Sequence, residues 1–179
     1  MRKGFSIRIP LILCLLTPGC VSMPPEAPPR DAQLFIQADA MSRALEETGL
    51  RMPWICVGLE DDYIPNPDVT KDPPQELLSQ VKAQGGLLEP ISRCNWVGDI
   101  GNLDQNRYLQ HRSSVEPAHH LWASPVQLHG NEARVWAGVS YGQNNARGFE
   151  SLYLRDKGEW VFSGYRQVWG PFDLGPVAR

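Results

Sequence analysis

From Trp122 onward the periodicity of the apolar residues changes to two, and this alternation constrains the fold more than any other feature of the chain. Val126 and Leu128 precede the turn-forming run His129-Gly130-Asn131. Ala133, Val135, Ala137, Val139 and Tyr141 then alternate with Arg134, Trp136, Gly138 and Ser140. A Gly/Asn-rich turn leads to Phe149, Leu152, Tyr153 and Leu154, and a tight Asp156-Lys157-Gly158 turn leads to residues 160–169. A period of two places one residue set on each face of a strand, and turns at short intervals call for antiparallel neighbours. The segment therefore predicts an antiparallel meander of three or four strands.

Upstream the spacing is helical. Leu34, Phe35, Ala38, Met41 and Leu45 recur on one face of a helix that Asp31 is placed to cap and that runs to about Thr48, with Gly49 as its stop. Pro53-Trp54-Ile55-Cys56-Val57-Gly58-Leu59 reads as a short buried strand, followed by a polar loop. Asp72-Pro73-Pro74-Gln75-Glu76 has the composition of a helix start, Leu77, Leu78 and Val81 give that helix its buried side, and Gly85-Gly86 stop it. A further strand is expected over residues 87–91, with Cys94 close behind. Helices first and a meander last predict an α+β domain in which helix one lies across one face of a curved antiparallel sheet.

The first residues have a different character. Arg2, Lys3 and Arg8 precede or open an apolar run over residues 9–16, followed by small and turn-forming residues, which is the layout of a secretory signal. The run is far shorter than the ~18 to 20 apolar residues that cross a bilayer, and Pro10 lies near its start. Leu16-Thr17-Pro18-Gly19-Cys20 resembles the lipobox of bacterial lipoproteins, in which the cysteine is acylated and becomes the new N-terminus. Thr17-x-Gly19 also offers an ordinary small-x-small cleavage site, so both processing routes stay open. The resemblance implies residues 1–19 as signal peptide, a lipidated Cys20 with a proline-rich tether over residues 20–30, and a single α+β domain over residues 31–179. It also implies a cell-envelope location, anchored to the membrane through the lipid. Val21 follows the cysteine where an Asp usually signals inner-membrane retention, which implies the periplasmic side of the outer membrane in a Gram-negative cell.

Two features agree with a tether. Pro24, Pro25, Pro28 and Pro29 favour an extended, solvated spacer. Cysteine parity points the same way: with Cys14 lost in the signal, three of the 4 cysteines remain, and lipidating Cys20 leaves Cys56 and Cys94 to pair. Such a bridge restricts the unfolded chain by roughly 4 kcal/mol. Free buried thiols and a metal pair are the alternatives, and both fit an exported protein poorly.

Composition excludes one class of partner. All 20 acidic residues lie beyond the signal, whereas Arg2, Lys3 and Arg8 are lost from the 17 basic ones, so the formal net charge moves from −3 to about −6. Nucleic acid binding calls for a basic face instead.

The stretch from Val126 to Trp169, with Lys157-Gly158-Glu159-Trp160 at its second hairpin, resembles the C-terminal sheet of cystatin-like and nuclear-transport-factor-2-like domains. The order of a cysteine after helix one, a Pro-initiated second helix and a second cysteine before the sheet resembles uncharacterised small bacterial lipoproteins. The lipoprotein resemblance carries no catalytic residues to this chain.

Candidate chemistry is sparse. His119 and His120 are adjacent, so on a strand they point to opposite faces and do not share a metal, and no HExxH or i, i+4 histidine pair exists. Glu60, Asp61, Asp62, Asn66 and Asp68 lack the order of a calcium loop and read as a solvated acidic loop. No serine stands in a GxSxG setting, and His119 with Asp99 or Asp104 is the remaining general-base pairing. No cofactor or metal set is expected. Of the 6 tryptophans, Trp136 alternates away from the Val135/Val139 face, so Arg134, Trp136 and Tyr165 form the candidate binding surface. The expected function is a binding module for another envelope component, protein or glycan. The alternative is a small enzyme or ligand carrier with a pocket between helix one and the sheet.

Overall fold

In the computed structural model, the described residues are 28–49, 53–61, 70–83, 85–98, 108–142 and 145–169. The signal, Cys20 and most of the proline-rich tether lie outside them. Helix α1 (Arg30–Thr48) begins one residue before Asp31, with Pro29 at the cap position and no side-chain cap. Asp31 falls in the first turn, where a carboxylate still complements the exposed N–H groups. Gly49 closes the helix at φ 63, a left-handed conformation that costs residues with a Cβ.

The second helix differs from its expected bounds. After β1 (Trp54–Leu59), α2 (Gln75–Gln80) is capped by Pro74, and Val81 is already extended, so neither Asp72 nor Gly85 bounds it. Asp72 instead accepts a hydrogen bond from the Ser92 N–H at 2.8 Å, and so holds a distant loop in place. The chain continues through β2 (Leu87–Pro90) and a 3-10 turn (Ile91–Arg93). Seven further strands follow: β3 (Cys94–Val97), β4 (Tyr108–His111), β5 (Pro117–Ala123), β6 (Gln127–His129), β7 (Glu132–Gly142), β8 (Asn145–Asp156) and β9 (Glu159–Trp169).

These strands form one sheet in the order β2-β1-β5-β7-β8-β9, with β4 joined to β5, β3 to β4 and β6 to β7. The C-terminal meander is antiparallel, as its alternation requires. The middle of the sheet is not: β1 runs parallel to both β2 and β5. A parallel return needs a crossover, which α2 supplies between β1 and β2. Buried on both faces, β1 reads as a continuous apolar run and not as an alternation, so its sequence carried no sign of direction.

Helix α1 covers one face of this sheet. Ile36, Met41 and Leu45 pack with Leu121, Val135, Val139, Phe149 and Tyr153 in the main core. Polar groups fasten the same contact: Tyr153 donates its hydroxyl hydrogen to Asp39 Oδ2 at 2.8 Å, and Arg43 pairs with Asp39 while lying 3.6 Å over the Phe162 ring. Opposite, Trp122 is fully buried beside Gly138, where any Cβ would stand 2.7 Å from the indole. At the far end the disulfide Cys56–Cys94 joins β1 to β3 within a much smaller buried cluster that adds Leu109 and Ala118.

Candidate binding cleft

The disulfide end carries an open polar cleft, assembled from segments distant in sequence. Trp54 opens β1 and His111 closes β4, and both strands meet β5 at Ala118. The two rings consequently stack, with centroids 3.7 Å apart and planes within 4°. The Trp54 indole N–H donates to Glu116 Oε2 at 2.6 Å, and His111 Nδ1 lies 3.1 Å from Ser114 Oγ. His111 is buried and Trp54 only half-buried, so the indole is the member of the pair that reaches solvent.

Pairing of Cys94 with His111 sets Arg93 opposite Arg112 at the end of the β3–β4 ladder. The Arg112 backbone N–H donates to the Arg93 carbonyl at 2.9 Å, and Arg112 Nε donates to the Cys94 carbonyl at 3.2 Å. Neither guanidinium forms an ion pair among the described residues. With Glu89 and Ser92, these groups line a hollow of about 520 Å³ that also exposes Trp54 and His111. A second hollow of about 450 Å³, bordered by Asn95 and Trp96, shares Ser92 and Arg112 with the first.

A buried polar cluster lies behind the second hollow. Thr70, which lines that hollow, donates its hydroxyl hydrogen to Glu60 Oε1 at 2.5 Å, and His120 Nε2 is 3.6 Å from the same oxygen. Gly58 allows this approach, since a Cβ there would stand 3.0 Å from His120 Nε2 and collide with Thr70. Burial pushes the His120 pKa down to about 3, so the ring is neutral across the physiological range. With 1% of its surface exposed, it meets no bound molecule in this conformation.

His119 points to the opposite face, as strand alternation requires; its partner across the parallel pairing is the core residue Ile55. Burial, partly offset by the nearby Ser140 backbone, lowers its pKa to about 4. Asp99 and Asp104, its conceivable partners, lie outside the described residues. The acidic loop divides at its base: Glu60 is buried against Thr70, whereas exposed Asp61 pairs with Lys71 at 2.7 Å. Asp62, Asn66 and Asp68 lie outside the described residues. Among the described residues no group of three metal-ligating side chains comes together.

The surface expected from Arg134, Trp136 and Tyr165 is split. Arg134 and half-buried Trp136 do share the face away from α1, where Glu150 bridges Arg134 and Arg166. Tyr165 lies on the helix face, edge-on to Phe149 at 5.6 Å, where burial and the nearby Glu47 carboxylate raise its pKa to about 12. A register shift causes this. Leu152 pairs with Gly164 and Tyr153 with Phe162, so Ser163 bulges and the alternation inverts beyond it.

The space between α1 and the sheet, where the alternative reading puts a pocket, is occupied by the side chains of the main core. The cleft residues Trp54, Glu89, Arg93, His111 and Arg112 were not singled out by sequence reasoning. One signal pointed toward them: pairing Cys94 with Cys56 necessarily brings Arg93 close to the strand that Trp54 begins. Comparison with protein-family models, curated proteins and solved structures finds no match for this chain.

Proposed function

We propose that this chain is an envelope lipoprotein, tethered through Cys20, whose α+β domain binds another envelope component through the cleft at its disulfide end. The observation that supports this reading is the Trp54–His111 stack. An aromatic ring already fixed by a hydrogen bond and by stacking loses little conformational freedom when a ligand settles on it. The hollows are also of the size that small-molecule sites commonly have, roughly 300 to 1,000 Å³. The tether confines the domain to the membrane surface, and the proline-rich segment holds it clear of the bilayer.

In-cell crosslinking of the tagged full-length chain tests this. The wild type and Trp136→Ala are expected to yield the same crosslinked envelope adduct, Trp54→Ala to lose it, and Cys20→Ala to lose it together with membrane association. Loss in Trp136→Ala with retention in folded Trp54→Ala moves the binding surface to the other face of the sheet and overturns the cleft reading.

A further inference from the structure

Arg93 and Arg112 are joined through the backbone at the end of the β3–β4 ladder, and both line the same hollow. Like charges gathered in one hollow repel each other. No carboxylate among the described residues neutralises either one, although Glu89 lines the same hollow. A local arrangement that works against folding marks a place where an external group completes the structure. What completes two guanidiniums that line one hollow is an anion, and a carboxylate matches the planar fork of Arg best when it is bound by two parallel N–H bonds.

The other walls narrow the class. Glu89 accepts hydrogen bonds and repels a densely charged polyanion, so the ligand carries a low charge density and hydroxyl donors beside it. Ser92 and Ser113 add hydroxyl groups to the same hollow. The Trp54 indole asks for an apolar face to lie against. An acidic peptide would bind most simply by extending a sheet edge, yet β2, which borders the cleft, is four residues long and ends in Pro90, which lacks the N–H that strand addition needs. A sugar ring has all the required parts: a C–H face, hydroxyl donors and, in an acidic sugar, one carboxylate per residue.

We infer that the cleft takes a short acidic oligosaccharide, its carboxylate held by Arg93 and Arg112, its ring on Trp54 and its hydroxyls on Glu89. This rests on the reading of the cleft as the binding site and names the ligand class for it.

Titration calorimetry on the detergent-solubilised full-length chain tests it, with trigalacturonate as the acidic probe, its methyl ester and cellotriose as neutral probes, and triglutamate as the peptide control. Trigalacturonate is expected to bind at least tenfold more tightly than either neutral sugar or triglutamate. Arg93→Ala, at an exposed position, is expected to weaken it at least tenfold without lowering the thermal midpoint. Glu89→Gln is expected to weaken it less than Arg93→Ala, since the amide still accepts a hydrogen bond. Equal binding of acid and ester, tighter binding of triglutamate, or no effect of Arg93→Ala overturns the inference. If no saccharide binds while the Trp54-dependent crosslink persists, the acidic-sugar inference fails and the binding reading stands.

Discussion

The two ends of this sheet are held together by different means. At the α1 end, β7, β8 and β9 form long antiparallel ladders, and the helix seals them with a core that runs from Ile36 to Tyr153. At the other end, β3 and β4 have four residues each and share four buried apolar residues with β1 and β5, two of which are the bridged cysteines. A cluster that small gains little from apolar burial, so a covalent link supplies what packing does not. The difference teaches where function is affordable: Arg93, Arg112 and Glu89 sit at the stapled end, where like charges and an open cleft leave the main core undisturbed.

The contrast makes predictions for each end. Phe149→Ala removes a core ring under α1 and is expected to cost about 3 to 5 kcal/mol, lowering the global unfolding midpoint in urea. Opening the disulfide with Cys94→Ser is expected to cost about 2 to 4 kcal/mol, and unevenly. Hydrogen exchange should speed up across β3 and β4 while β8 and β9 keep their protection. Equal loss at both ends would erase the distinction between them.

The third prediction concerns pH. His120 is held neutral down to about 3, against an ordinary 6.5, so below 6.5 the unfolded chain takes up a proton that the folded chain does not. Stability therefore falls as pH drops from about 6.5 toward 3, by up to about 1.4 kcal/mol per pH unit from this residue. His119 adds to the same trend over a shorter range, ending near 4. Chemical denaturation between pH 7 and 4 checks this, and His120→Phe should flatten the profile; an unchanged profile would show that His120 does not titrate differently in the two states.

Much of the α1 end was legible because its signals are local. Helical spacing marks α1, alternation marks β7, and Lys157-Gly158, both with positive φ, form the two-residue turn that the right-handed twist of a hairpin favours. Local signals also fail there: Phe35, expected on the buried face of α1, is exposed, Asp31 is not the cap, and Tyr165 is turned to the helix by the bulge at Ser163, which the neighbouring Gly164 alone hints at. The stapled end was poorly legible for the opposite reason. Its contacts join Trp54 to His111 and Arg93 to Arg112, and each depends on which strand lies beside which.

By itself, then, the sequence determined the period-two meander, the first helix and the α+β class, since periodicity and turn chemistry are properties of the chain alone; the pairing of Cys56 with Cys94 was an expectation that the structure bears out. Only the tertiary structure decided that β1 lies parallel between β2 and β5, that Tyr165 faces the helix, and that an indole, an imidazole and two guanidiniums share one cleft. Strand order and register are set by the packing of the whole sheet, and a residue's neighbours across a ladder are not written in its neighbours along the chain.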